Sequence, residues 1–201
     1  MARTAKVERI TKETSIMVKL NLDGEGRAKL DYPIGFMVHL LTTFARHGLF
    51  DIEIRAEGDL EVDQHHLVED TGIVLGQCFA KALGDKRGIR RVGSCLFPMD
   101  ETLACAAADI SGRPCLIFEA ALSGFPLISG GASFQTDTAH DFWQGFVSQA
   151  GVTLHLDILR GRSCHHKLEA LFKAAARAIR EACAIDPASS GVIPSTKGTL
   201  A

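Results

Sequence analysis

The chain has no C-x-x-C pair, no long apolar run and almost no net charge, and each absence removes a class of protein. Its six cysteines, Cys78, Cys95, Cys105, Cys115, Cys164 and Cys183, show no metal-ribbon or dithiol spacing and read as buried, reduced thiols of a cytosolic protein. No apolar stretch approaches ~18 residues, so no transmembrane helix is expected. The start, Met1-Ala2-Arg3-Thr4, carries no hydrophobic signal segment. A formal net charge of −2 leaves no long-range field to draw nucleic acid or anionic membrane. What remains is 201 residues with 46% hydrophobic content, enough to bury a full core as one domain or as two packed halves.

What is present is a duplication. His65-His66-Leu67-Val68-Glu69 returns as His165-His166-Lys167-Leu168-Glu169. Each copy opens a segment with helical apolar spacing: Val68, Leu75, Phe79 and Leu83 in the first, Leu168, Leu171, Phe172, Ala175 and Ile179 in the second. On a helix, positions i and i+4 share a face, so His65 and Glu69 can grip one ion while His66, about 100° round the axis, reaches another. One copy alone reads better as an exposed polar helix start than as a metal site. Two copies in matched contexts point to two metal sites built from related halves, and imidazole and carboxylate donors suit several divalent ions.

The contexts do match. His39, Phe44, Gly48 and an alternating strand pattern from Phe50 precede the first motif; Asp141, Phe146, Gly151 and a strand pattern from Thr153 precede the second. Aligning the glycines sets His39 against Phe142, one residue from Asp141. His39 and Asp141 thus join the candidate ligands, with His140 beside Asp141 as the alternative. Cys164 adjoins His165 but sits among hard nitrogen and oxygen donors that do not call for a thiolate. His47 and His155 read as structural.

Strands are expected over 14–22, 28–31, 50–57, 90–97, 103–110, 115–121 and 152–159. Helices are expected over 36–46, 64–83, 138–149 and 165–184, with glycines at several of their ends. Asp23-Gly24 reads as a turn returning the chain to a partner strand at 28–31, and Ser129-Gly130-Gly131 as a loop. Strands and helices alternate in blocks, which argues an α+β fold in two halves, 1–88 and 89–187. By composition alone, 188–201 is a disordered tail.

Other chemistry is weaker. Arg91 in Arg90-Arg91, Arg113 beside Gly112, and Arg162 beside Gly161 can each offer a planar fork to phosphate, as Ser195 and Lys197 can offer a hydroxyl and an ammonium. Taken singly, these arginines read as solvated surface groups. Pro98-Met99-Asp100-Glu101 is either a capping turn or a site loop. Glu13 looks like an ordinary charge before a strand.

Together these segments resemble the imidazoleglycerol-phosphate dehydratase family. The likeness runs through Arg9-x-Thr11-x-Glu13-Thr14, Gly35-Phe36-x-x-His39, Gly58-Asp59 with Asp63-x-His65-His66-x-x-Glu69-Asp70, Gly84-Asp85-Lys86-x-Gly88-Ile89-x-Arg91, Pro98-Met99-Asp100-Glu101, Asp109-x-Ser111-Gly112-Arg113-Pro114, His165-His166-x-x-Glu169-Ala170-x-Phe172-Lys173, and Pro194-Ser195-Thr196-Lys197-Gly198. Any one segment is weak, but all of them in order are specific.

The resemblance implies two similar ferredoxin-like α+β halves, each a mostly antiparallel sheet with helices on one face. It implies a homo-oligomer of 24 subunits with active sites between subunits, and two manganese ions per site, other divalent ions being possible. It implies loss of water from imidazole glycerol phosphate to give imidazole acetol phosphate, the sixth step of histidine biosynthesis, with the metals stabilising imidazolate character in the ring. In that reading the proton removed lies beside the ring, and the neighbouring hydroxyl leaves as water.

His39, His65, His66, Glu69, Asp141, His165, His166 and Glu169 become metal ligands by this likeness. Arg91, Arg113, Ser195 and Lys197 become substrate-binding residues, chiefly for phosphate. Glu13 becomes the acid/base at the glycerol carbons, and 188–201 a substrate-binding tail. Four positions depart from the family pattern: Val38 stands where Asp is usual, Asp141 where His is frequent, and Arg162-Ser163 where Lys-Asn is common. Those departures leave two other readings open, a non-catalytic metal-binding assembly of the same fold and a dinuclear metal hydrolase.

Overall fold

The structure, a computed structural model, describes residues 3–122, 127–129, 132–189 and 191–200. Its first half contains β1 (Thr4–Ile10), β2 (Thr14–Asn21), β3 (Ala28–Asp31), α1 (Gly35–Gly48), β4 (Asp51–Gly58) and α2 (His65–Leu83). Its second contains β5 (Val92–Met99), β6 (Thr102–Asp109), β7 (Cys115–Glu119), a short pair β8 (Leu127–Ser129) and β9 (Ala132–Phe134), α3 (Thr138–Ala150), β10 (Thr153–Arg160) and α4 (Cys164–Cys183). The sheets run β1-β2-β4-β3 and β5-β6-β10-β7, one order repeated, with β8-β9 inserted in the second half. In each sheet three strands are antiparallel and the fourth lies parallel to its neighbour at one edge. The α+β two-half expectation therefore holds.

Alternation places the core. Ile16, Val18 and Leu20 on β2 and Ile52, Ile54 and Ala56 on β4 face inward and are buried. Helix α2 covers that sheet, while α4 covers β5 and β6, and the helices meet between the sheets, α2 on α3 and α1 on α4. Alternating Ala104, Ala106 and Ala108 leave room for the alanine-rich face of α4.

The α2–α3 crossing is tighter still. A Cβ at Gly72 would lie 2.1 Å from the carbonyl oxygen of Phe142, and one at Gly145 would lie 2.7 Å from that of Glu69. The two backbones meet with no side chain between them. Gly72→Ala should therefore destabilise the fold by about 1–3 kcal/mol, the usual cost of overpacking. Chemical denaturation would read this as a lower midpoint at unchanged slope, and an unchanged midpoint would show that the crossing yields freely.

Three local expectations are corrected. Residues 28–31 do not return along β2; β3 pairs with β4 in parallel. The reason is Asp51, whose Oδ1 accepts from the main-chain N–H of Glu25 (2.9 Å) and of Arg27 (3.0 Å), carrying the chain past β2 and across β4. Gly48 does not stop α1; it is the last helical residue, and Leu49 takes the left-handed conformation (φ 52°). Gly48 is fixed instead by Phe50, whose ring carbon would lie 2.3 Å from any Cβ there. Of the six cysteines only Cys78 and Cys183 are buried, Cys115 is exposed, and all six are free thiols. Gly130 and Gly131, read as a loop, lie outside the described residues.

Candidate metal centre

The two His-His-x-x-Glu motifs form the first turns of α2 and α4. Helical geometry then does what the spacing requires: His165 and Glu169 share a face, with Nε2 of His165 3.2 Å from Oε2 of Glu169. From α1, His39 brings its Nε2 to 3.1 Å from the same oxygen. These three residues can each place one donor atom within 4.8 Å of the others. Glu169 is buried, and its second oxygen accepts from Lys173 Nζ at 2.7 Å. Burial pushes its pKa up, but Lys173 and His39 outweigh that and hold it down at about 2. It is an ionised group that can only accept.

The other helix pair places the same kinds of residue together without bringing them to one point. His65 and Glu69 share a face of α2, with Nε2 and Oε2 3.8 Å apart, and Asp141 on α3 brings Oδ2 to 3.1 Å from His65 Nδ1. His140 sits behind, its Nδ1 3.3 Å from the other oxygen of Asp141. Of the two neighbours, Asp141 is the one that reaches His65. Thus α1 with α4 gathers His39, His165 and Glu169, and α3 with α2 gathers Asp141, His65 and Glu69. Both offer only imidazole nitrogen and carboxylate oxygen, a donor chemistry that fits hard to borderline divalent ions, but among the described residues only His39, His165 and Glu169 bring their donors within 4.8 Å of one another, since Glu69 faces Nε2 of His65 and Asp141 faces Nδ1. Cys164 lies in neither set.

His66 and His166 join neither group. His66 turns its Nδ1 to Asp59 Oδ2 at 2.9 Å, and His166 turns its Nδ1 to Glu101 Oε2 at 2.8 Å. Each carboxylate raises the pKa of its histidine. One chain therefore supplies one converging set, a second group of like residues around His65, and two histidines outside both.

The acid/base candidate Glu13 lies in the β1–β2 hairpin, side chain exposed, at the end of the first sheet where α2 begins. Its carbonyl accepts from Asp59 N–H at 3.1 Å. The hairpin is tied to α2 by Asp70, which accepts from the Thr14 hydroxyl at 2.5 Å and pairs with Arg9.

The phosphate candidates gather elsewhere. Arg91 takes the left-handed conformation (φ 72°) and grips Asp109 with both sides of its guanidinium, at 2.7 and 3.1 Å. Its third nitrogen donates to the Pro194 carbonyl at 2.9 Å. Arg113 reaches the same carboxylate at 4.0 Å. The tail is ordered by main-chain bonds, Gly88 N to Val192 O at 2.9 Å and Gly198 N to Ser195 O at 3.0 Å, which overturns its compositional reading as disordered. Arg91 precedes β5 and Arg113 follows β6, whereas Glu101 and the histidine it holds lie at the far end of the same strands. Eight residues of strand span about 26 Å. Within one chain the phosphate candidates and the ligands on α4 are thus far apart.

Asp59, Asp70 and Lys173 carry no separate signal in the sequence, because each is defined by a partner distant along the chain, and Glu101, read there as part of a capping turn or a site loop, holds His166 and the main chain of Arg162 and Ser163. The one available signal was their place inside quoted motifs. His47 stands edge-on to Phe97 (5.3 Å), burial lowers its pKa, and it belongs to neither set, in keeping with a structural role. Arg162 contributes its main-chain N–H to Glu101 (3.2 Å), a contact any residue type could make.

Comparison with known proteins was consistent throughout. A sequence model of imidazoleglycerol-phosphate dehydratase matches residues 33–179. The protein of that name from Acidithiobacillus ferrooxidans is 54% identical over 198 residues, 98% of this chain and 98% of the relative. That from Methylorubrum populi is 52% identical over 198 residues, 98% of this chain and all of the relative. The crystal structure of the Staphylococcus aureus imidazoleglycerol-phosphate dehydratase superposes with a TM-score of 0.80 at 36% identity, over 91% of this chain and 99% of the other.

Proposed function

Because the chain belongs to the imidazoleglycerol-phosphate dehydratase family, hydro-lyases of histidine biosynthesis, we propose that it removes water from imidazole glycerol phosphate at a dinuclear centre shared between copies of itself. The observation that carries this reading is the converging set of His39, His165 and Glu169, with its counterpart residues His65, Glu69 and Asp141 on α2 and α3, beside two histidines that join neither. One ion would be held by His65, Glu69 and Asp141, the other by His39, His165 and Glu169. His166 and His66 of other copies would complete them. A homo-oligomer, 24 subunits in the family's manner, follows from that need. The same need answers the spacing along β5, since phosphate contacts from one copy can face the metals of another.

When bound, two divalent ions, manganese by the family's pattern, supply positive charge that stabilises negative charge on the imidazole nitrogens. The remaining work falls to the chain. The product's name fixes which bonds change. In imidazole acetol phosphate the ketone lies on the second carbon from the ring, so the hydroxyl that leaves is on the ring-bound carbon and the proton removed is on the next. This reverses the order expected from sequence. Glu13 takes that proton, the ring-bound carbon loses its hydroxyl as water, and the enol gains a proton there as the ketone forms. Arg91, Arg113, Ser195 and Lys197 hold the phosphate and fix the carbons relative to Glu13. Neither a metal store nor a simple hydrolase has use for Glu13 together with this tail. Free thiols at all six cysteines suit a cytoplasmic setting, and no helix among the described residues is long and apolar enough to cross a membrane.

Incubating metal-loaded protein with imidazole glycerol phosphate should yield the ketone; no product would overturn the reading. The tail gives a second test. Ending the chain after Ser189 removes Ser195, Lys197 and the Pro194 carbonyl that engages Arg91. Metal content and assembly should persist while KM for the phosphate substrate rises at least tenfold. An unchanged KM would remove the tail from the site.

A further inference from the structure

The two halves end their first hairpins alike. Glu13-Thr14 closes β1–β2 and Glu101-Thr102 closes β5–β6, and both threonines are buried at the first position of their strands. Glu13 and Glu101 are thus internal counterparts, yet they are used differently. Oε1 of Glu101 accepts from the main-chain N–H of Ser163 (2.9 Å) and Arg162 (3.2 Å) and from the Thr102 hydroxyl (3.3 Å), and Oε2 meets Nδ1 of His166 (2.8 Å). In the first half Asp59 holds His66 Nδ1 instead (2.9 Å), and the Glu13 carboxylate has no hydrogen bond or ion pair among the described residues.

We propose that Glu101 is a positioning residue that fixes His166 as an Nε2 metal ligand, and that Asp59, by taking this task for His66, leaves the matching Glu13 free for proton transfer. The proposal rests on the dinuclear reading above. A carboxylate can only accept, so Nδ1 of His166 carries the proton, and in the neutral ring it is Nε2 that presents its lone pair. Anchoring Glu101 through three donors fixes where that lone pair points. The duplicated hairpin thereby yields one orienting and one reactive glutamate from the same starting position.

The amide variant separates this from a merely structural role. In Glu101→Gln the side-chain oxygen must face the three donors on the Oε1 side, which turns the NH2 group toward His166 Nδ1. Nδ1 then has to accept, the ring proton moves to Nε2, and the ligand is blocked. Glu101→Ala removes the anchor but leaves the ring free to choose its tautomer. Titrating the full-length protein with manganese(II) alone, Glu101→Gln should weaken affinity about 10–100-fold. Glu101→Ala should weaken it less, the reverse of the order expected if Glu101 only braces the loop. In a His166→Ala background Glu101→Gln should add nothing further. Unchanged affinity in Glu101→Gln, a larger loss in Glu101→Ala, or a loss that adds to that of His166→Ala would each overturn the proposal while the metal reading stood. Wild-type affinity in His166→Ala would instead overturn the metal reading itself.

Discussion

Replacing both His66 and His166 with alanine is expected to leave the protein with well under half of its bound metal. Each three-residue set would lose the imidazole that another copy brings to it. The remaining ligands, His39, His165 and Glu169 in one set and His65, Glu69 and Asp141 in the other, would stay within their own chain and keep their present spacing. A three-donor set retains some affinity, so the loss should be large but incomplete. Because the missing donors join copies, sedimentation should also show smaller particles at low metal. His47→Ala, a change outside both sets, serves as the control and should hold metal like the parent. Elemental analysis after exhaustive dialysis measures the outcome, and full metal content in the double variant would mean that neither histidine ligates.

Glu13→Gln should cut turnover by about 10²–10⁴-fold, the usual contribution of a general acid or base. The amide keeps the size of the side chain but cannot take a proton. Among the described residues the Glu13 carboxylate makes no hydrogen bond or ion pair; its structural contacts are main-chain, through its N–H to the Thr11 hydroxyl (3.1 Å) and its carbonyl to Asp59. Metal content, assembly and melting temperature should therefore match the parent. Near-full turnover in this variant would reduce Glu13 to an exposed hairpin charge and would reopen the question of what removes the proton.

Which parts of this molecule could be read from sequence follows from how each part is specified. The ligand helices were legible because helical period sets His65 against Glu69 and His165 against Glu169 within one turn. The repeated order of helix, strand and motif helix exposed the two halves. Strand β1 escaped notice because Arg9, on its inward face, is charged, and it is tolerated there only by the ion pair with Asp70 on α2. The pairing of β3 escaped because Asp51, which redirects the chain, lies after the turn it controls. Glu101 and Asp59 belong to the same class. Their meaning is a bond to a histidine, and no local period announces it. The tail misled by composition: its proline, serine and glycine describe a segment without secondary structure, but Arg87 and Arg91 still fasten it through the carbonyls of Gly191 and Pro194.

The glycine crossing of α2 and α3 would also bear on which ions a centre built on Glu69 and Asp141 could accept. Glu69 rides on one of these helices and Asp141 on the other, and at Gly72 and Gly145 main chain lies directly on main chain. The spacing of the two main chains that carry them is therefore held like the jaws of a fixed caliper, with no intervening side chain whose rotamer could widen or narrow it. Ions differ in radius, and a fixed gauge discriminates among them where a yielding one would stretch to fit. Selection among divalent cations would then reside in two residues that have no side chain at all.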